Sequence, residues 1–186
     1  ERRIRFDRHL PLDTRPVVIF TCHRGETRGE AQIDMCLTLQ ELCDRYPRHH
    51  WILPVFPDPE IQEIVHRLLR GIANLTLMSP LGYHEMLHLM ERAVLLVTDS
   101  GTMQEEAPSF GLPAVIIRDH TERPESIGAG CATLAGRASR SIVEAVAYWL
   151  DHPERREGLA KKNPYGDGGA SHRIVTSMLR ASREEA

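Results

Sequence analysis

The feature that most restricts this chain is an alternation of short apolar, β-favouring runs with longer stretches whose apolar positions recur at helical spacing. Val17 to Phe20 is followed by a helical pattern over Ile33 to Tyr46, then Trp51 to Leu53, then a second helical pattern over Ile61 to Leu69. The order continues with Leu75 to Leu77, a helix around His84 to Ala93, the run Val94 to Thr98, a helix opening near Thr102, the run Ala114 to Ile117 and a short strand near Ala132 to Leu134. Parallel strands need a long crossover between them, and strands without polar alternation are buried on both faces. The pattern therefore predicts an α/β fold, a doubly wound parallel sheet of six strands. In such a sheet ligands bind beyond the carboxyl ends of the strands, where the strand order reverses. Ser141 and Glu144 have capping-box spacing, so a helix is expected to open there and run to Leu150. Asn163 to Gly169 has turn-forming composition and is expected to be a loop before a terminal helix over 170–186.

At 186 residues the chain is long enough for one domain with a proper core. A net charge of -3, with Lys and Arg spread along the sequence, gives no basic field for nucleic acid, so any nucleotide must be held by a local pocket. The apolar runs are far shorter than the roughly 20 residues that span a bilayer, which predicts a soluble protein with no membrane partner. Cys22, Cys36, Cys43 and Cys131 have neither metal-ligand nor redox-motif spacing, which fits a reducing cytoplasm and no metal site. The chain opens on Glu1-Arg2-Arg3 without an initiator Met, so its beginning is expected to be missing; residues 1–15 read as a leading linker.

Three loops follow strands and carry reactive groups. The first strand runs into Thr21-Cys22-His23-Arg24-Gly25-Glu26-Thr27, placing a histidine, an arginine and a carboxylate where a doubly wound fold presents them. A lone loop histidine is ordinarily solvated surface; position is what marks His23. The fourth strand ends in Asp99-Ser100-Gly101, where backbone N–H groups at a helix start suit a phosphate, although an ordinary N-cap would look the same. Glu106 follows, a carboxylate placed to accept both hydroxyls of a ribose. The glycine fingerprint of dinucleotide-binding folds is absent, and Gly128-Ala129-Gly130 precedes the last strand as a plain turn. After the fifth strand comes Arg118 to Glu125, a charged loop whose arginines can face a phosphate or a carboxylate.

Four motifs in the same order carry a resemblance. The Thr-x-His-Arg-x-Glu loop, the run Asp99 to Pro113, Thr121-Glu122-Arg123-Pro124-Glu125 and Asn163-Pro164-Tyr165-Gly166-Asp167-Gly168 resemble non-hydrolysing UDP-N-acetylglucosamine 2-epimerases. The likeness runs from about Pro16 to Leu179 and corresponds to the second half of such an enzyme. It implies two Rossmann-like lobes of the glycosyltransferase-B kind with UDP-sugar between them. This chain would be the C-terminal UDP-binding lobe, without the N-terminal lobe. By the same resemblance Ser100 and Gly101 hold the diphosphate, Glu106 the ribose, and Arg123 lies near the phosphates. His23 is the catalytic-site histidine, with Arg24, Glu26 and Met86 in support. The implied reaction is elimination of UDP to a 2-acetamidoglucal and re-addition on the other face of C2, with acid/base carboxylates from the N-terminal lobe. No cofactor or metal is implied, and a homodimer serving polysaccharide biosynthesis is expected at full length. The rivals are the hydrolysing relative that releases N-acetylmannosamine, the donor-binding lobe of a glycosyltransferase, and a non-catalytic UDP-binding module. This chain departs from the family at Gly25, Thr27, Thr102 and Met86, the last standing where an aromatic ring near the uracil is common. Phe56 stands where bacterial members have a histidine that contacts an activating second substrate molecule; it is either that departure or a plain core residue.

Overall fold

A computed structural model describes residues 13–22, 29–159 and 163–184. Six strands, β1 (Val17–Thr21), β2 (His50–Pro54), β3 (Leu75–Met78), β4 (Ala93–Thr98), β5 (Ala114–Ile116) and β6 (Ala132–Leu134), form one sheet in the order β3-β2-β1-β4-β5-β6. Every pairing is parallel. The chain winds outward from β1 to β3, returns to pair β4 with β1, and then winds the other way, so the order reverses between β1 and β4. Thr21 lies level with Thr98 at that reversal, and their buried hydroxyls meet at 2.6 Å.

Alternation along each strand explains why almost every strand residue is apolar. Val18 and Phe20 of β1, Leu95 and Val97 of β4, and Val115 of β5 face the layer made by α1 (Glu30–Arg45), α2 (Pro59–Leu69) and α6 (Ser139–Leu150). Val17 and Ile19, Leu96, and Ala114 and Ile116 point to the opposite side, against α3 (Tyr83–Arg92) and α4 (Gly101–Glu106). Both faces are covered, as parallel sheets require. The edges depart from the expected burial on both faces: all four residues of β3 are only half-buried, and β6 passes from buried Ala132 to exposed Leu134. A strand paired on one side has only one neighbour to cover it. The short α5 (Glu125–Gly128) precedes β6, and Gly130, at φ +72°, makes the turn between them.

Helix starts differ in how they are capped. Asp58 caps α2 by accepting from the N–H groups of Glu60 and Ile61 at 3.0 and 3.3 Å, with Pro59 at the first helical position. The expected capping box at Ser141 does not form. Helix α6 opens at Ser139 behind Ala138, which offers no side-chain cap, and Glu144 instead accepts from Arg140 at 2.9 Å on the helix surface. A carboxylate inside an established turn finds an i−4 arginine more readily than a backbone N–H already used by the helix. The expected loop at Asn163 to Gly169 is present, followed by α7 (Ala170–Glu184).

All four cysteines are free and buried; burial pushes the Cys43 thiol up to about 12 and raises that of Cys36, so both stay protonated. Among the described residues no helix is long and apolar enough to cross a membrane, and no group of three His, Cys, Asp or Glu is placed to hold a metal ion.

Candidate functional site

The turn after β4 is tied to the sheet at the reversal point. The N–H of Ser100 donates to the Thr98 hydroxyl at 3.0 Å, and that hydroxyl is itself bound to Thr21. Ser100 caps α4, its Oγ accepting from the Met103 N–H at 3.5 Å. Gly101 is buried because the Arg123 guanidinium lies directly over it: a Cβ at this position would sit 2.5 Å from Nη1 and 2.7 Å from Cζ. The expected phosphate turn and the expected arginine, distant in sequence, are thus in contact.

Arg123 is held by carboxylates on two sides. Its Nε donates to Glu105, and its Nη1 pairs with Glu122 at 2.7 Å. Glu105 raises the arginine further above its ordinary range. The Glu122 carboxyl is held down at about 2 by its own backbone N–H and by Arg118, whose Nη1 donates to it at 2.7 Å. Beneath this surface lies Gln104, only 1% exposed. Its Nε2 donates to the Arg123 carbonyl and to Ser126 Oγ, both at 2.7 Å, and its Oε1 accepts from Thr121 Oγ1 at 2.8 Å. From the segment before α7, Tyr165 donates its hydroxyl to the same Arg123 carbonyl at 3.3 Å, and Asn163 donates to Ser109 at 3.0 Å. Neither composition nor spacing marks Gln104, Ser126 or Tyr165 as functional, though Gln104 and Tyr165 lie inside the family motifs.

Glu106 ends α4, roughly 7.5 Å along the helix from Gly101 at ordinary rise. It is half-buried and neighbours the exposed Tyr83, at the start of α3. Burial pushes its carboxyl above the usual carboxylate range, the Tyr83 hydroxyl opposes that, and Glu105 adds to it. Met86, one turn along α3, packs half-buried against the core rather than standing free. Phe56, just beyond β2, is 38% exposed, so it is not a core residue. His23, Arg24 and Glu26 lie outside the described residues.

The sequence pattern that defines the UDP-N-acetylglucosamine 2-epimerases matches residues 2–179. The chain belongs to this family. The UDP-N-acetylglucosamine 2-epimerase of Yersinia pestis is 39% identical over 173 residues, covering 92% of this chain and 46% of the relative. The crystal structure of the epimerase from Neisseria meningitidis bound to UDP-GlcNAc superposes with a TM-score of 0.83 at 36% identity, over 91% of this chain and 46% of that one. The epimerase of Methanocaldococcus jannaschii, solved with UDP-GlcNAc and UDP, gives a TM-score of 0.75 at 28% identity over 89% of this chain and 46% of that one. The chain therefore spans about half the length of the curated relatives it matches. The expected fold holds: a Rossmann-like α/β lobe that matches half of a glycosyltransferase-B-like epimerase structure.

Proposed function

We propose that this chain is the UDP-binding, C-terminal half of a UDP-N-acetylglucosamine 2-epimerase that interconverts UDP-N-acetylglucosamine and UDP-N-acetylmannosamine. The observation that carries the reading is the Arg123 guanidinium over Gly101 at the sheet's reversal point, with Glu106 further along the same helix. The diphosphate sits on the Ser100-Gly101 turn. Because α4 has only six residues its dipole is small, and Arg123 supplies the charge. Phosphate oxygens compete there with Glu105 and Glu122 for the guanidinium. Glu106 accepts the two ribose hydroxyls, and Met86 lies toward the base.

The reaction removes the C2 proton and breaks the bond from C1 to the UDP oxygen, giving 2-acetamidoglucal and UDP. UDP then adds back to C1 while C2 is protonated on the other face. Negative charge grows on the leaving diphosphate, so Arg123 stabilises the transition state as well as the bound ground state. His23 acts beside the sugar with Arg24 and Glu26 in support, while the base for C2 comes from the opposing lobe. No cofactor is needed for this proton and leaving-group chemistry. The full-length protein is cytoplasmic and dimeric, its second lobe covering the apolar side of α7.

Titration calorimetry with UDP tests the site. Glu106→Ala should weaken binding by about 1.5–3 kcal/mol, the usual worth of hydrogen bonds to a charged group. Saturable UDP binding with the same affinity in that variant would remove the ribose role.

A further inference from the structure

We propose that Gln104 is the positioning residue that sets the Arg123 guanidinium for a diphosphate, by holding the Arg123 carbonyl directly and the Arg123 N–H through Thr121. The hydrogen bonds close a ring. The Arg123 N–H donates to Thr121 Oγ1 at 3.1 Å, that hydroxyl donates to Gln104 Oε1 at 2.8 Å, and Gln104 Nε2 donates back to the Arg123 carbonyl at 2.7 Å. The second Nε2 hydrogen goes to Ser126 Oγ at 2.7 Å.

Gln104 thus holds the Arg123 carbonyl itself, beside Tyr165, and reaches the Arg123 N–H through the Thr121 hydroxyl. Gln104 lies three residues after Gly101 on α4, so the clamp couples the loop directly to the turn beneath the guanidinium. The ring needs two donors and an acceptor on one planar group, which an amide supplies and a carboxylate does not. The amide orientation is fixed by chemistry, since Oε1 facing the Arg123 carbonyl would set two acceptors together. The backbone clamp matters because the side chain above it is long: Glu105 and Glu122 compete for the guanidinium, and only a fixed Cα keeps it over Gly101 when phosphate displaces them.

The inference rests on the UDP-binding reading, and a double-mutant cycle on this chain separates the two. UDP affinity is measured for the unsubstituted chain, Gln104→Glu, Arg123→Met and the double variant, each checked by thermal melting. If Gln104 acts through Arg123, each single change weakens UDP about tenfold or more, and the double change is no worse than roughly threefold beyond the larger single one. Losses that multiply to about a hundredfold in the double variant would show that Gln104 serves the fold alone and would overturn the assignment. Should Gln104→Glu fail to melt cooperatively, Thr121→Val takes its place in the cycle, since it cuts one link of the ring and keeps the side-chain volume. The same two outcomes then decide. No UDP binding by the unsubstituted chain would sink the phosphate site and this proposal together. UDP binding that is weakened by Glu106→Ala but shows an additive cycle would sink only the role of Gln104.

Discussion

A carboxylate that accepts ribose hydroxyls must be ionised, yet Glu106 sits where burial favours its neutral form, with Tyr83 partly offsetting and Glu105 reinforcing the rise. Binding that depends on ionised Glu106 is present above its folded-state pKa and lost as pH falls through it, and because that pKa is raised the loss begins at higher pH than for an exposed glutamate. UDP affinity should therefore fall on acidification before ordinary glutamates titrate, at about 4.3. The phosphate also titrates on acidification, so the comparison that decides is with Glu106→Gln, which keeps the phosphate contribution and should lack the extra acidic limb. Calorimetric titrations at several pH values read it; superimposable profiles would mean that Glu106 does not meet the ligand. Glu122, held at about 2, stays ionised throughout and does not blur the result.

At the scale of elements, signals local to a strand or turn could be read from sequence, and those spread over distant loops could not. The apolar runs at Val17, Trp51, Val94 and Ala114 became interior strands, which a parallel sheet buries on both faces, and those at Leu75 and Ala132 became its edges. The half-burial of β3 escaped because edge position depends on strand order, which periodicity does not encode. The Gln104 ring escaped for the same kind of reason: its partners lie 17, 19 and 22 residues away, joined only by the fold. Ser100, Gly101 and Arg123 could be picked out individually, but not their contact. The start of α6 was misread because Ser141 and Glu144 have cap spacing while Arg140 offers Glu144 a better partner. Two substitutions test this account by chemical or thermal unfolding. Asp58→Ala should cost about 1 kcal/mol, the usual loss of an N-cap, without changing UDP affinity. Ser141→Ala, inside a formed helix, should be neutral or stabilising by up to about 0.5 kcal/mol, since alanine is the better helix former. A loss at Ser141 as large as that at Asp58 would restore the capping box.

Across the whole molecule, the described residues form one sheet with its helices and leave an apolar surface open on α7. Ile174, Val175, Met178 and Leu179 are 54–67% exposed along α7, at spacings that gather them on one side of the helix. An apolar side of this kind needs a neighbour, and a chain about half as long as its relatives supplies the reason for one. That half-length bears on the chemistry as well. Taking the proton from C2 requires a base beside the sugar and a site closed to water, where charge on the leaving diphosphate is stabilised most strongly. Among the described residues Glu105 and Glu122 are engaged with Arg123, and Glu106 is assigned to the ribose, so none of these three is placed to serve C2. This chain alone should therefore bind UDP-N-acetylglucosamine without exchanging its C2 proton. Proton NMR in heavy water follows that position directly: the signal should persist with this chain, and should fade when the chain is joined to the N-terminal half of the Neisseria meningitidis epimerase. Loss of the signal with the lobe by itself would place the base on this chain.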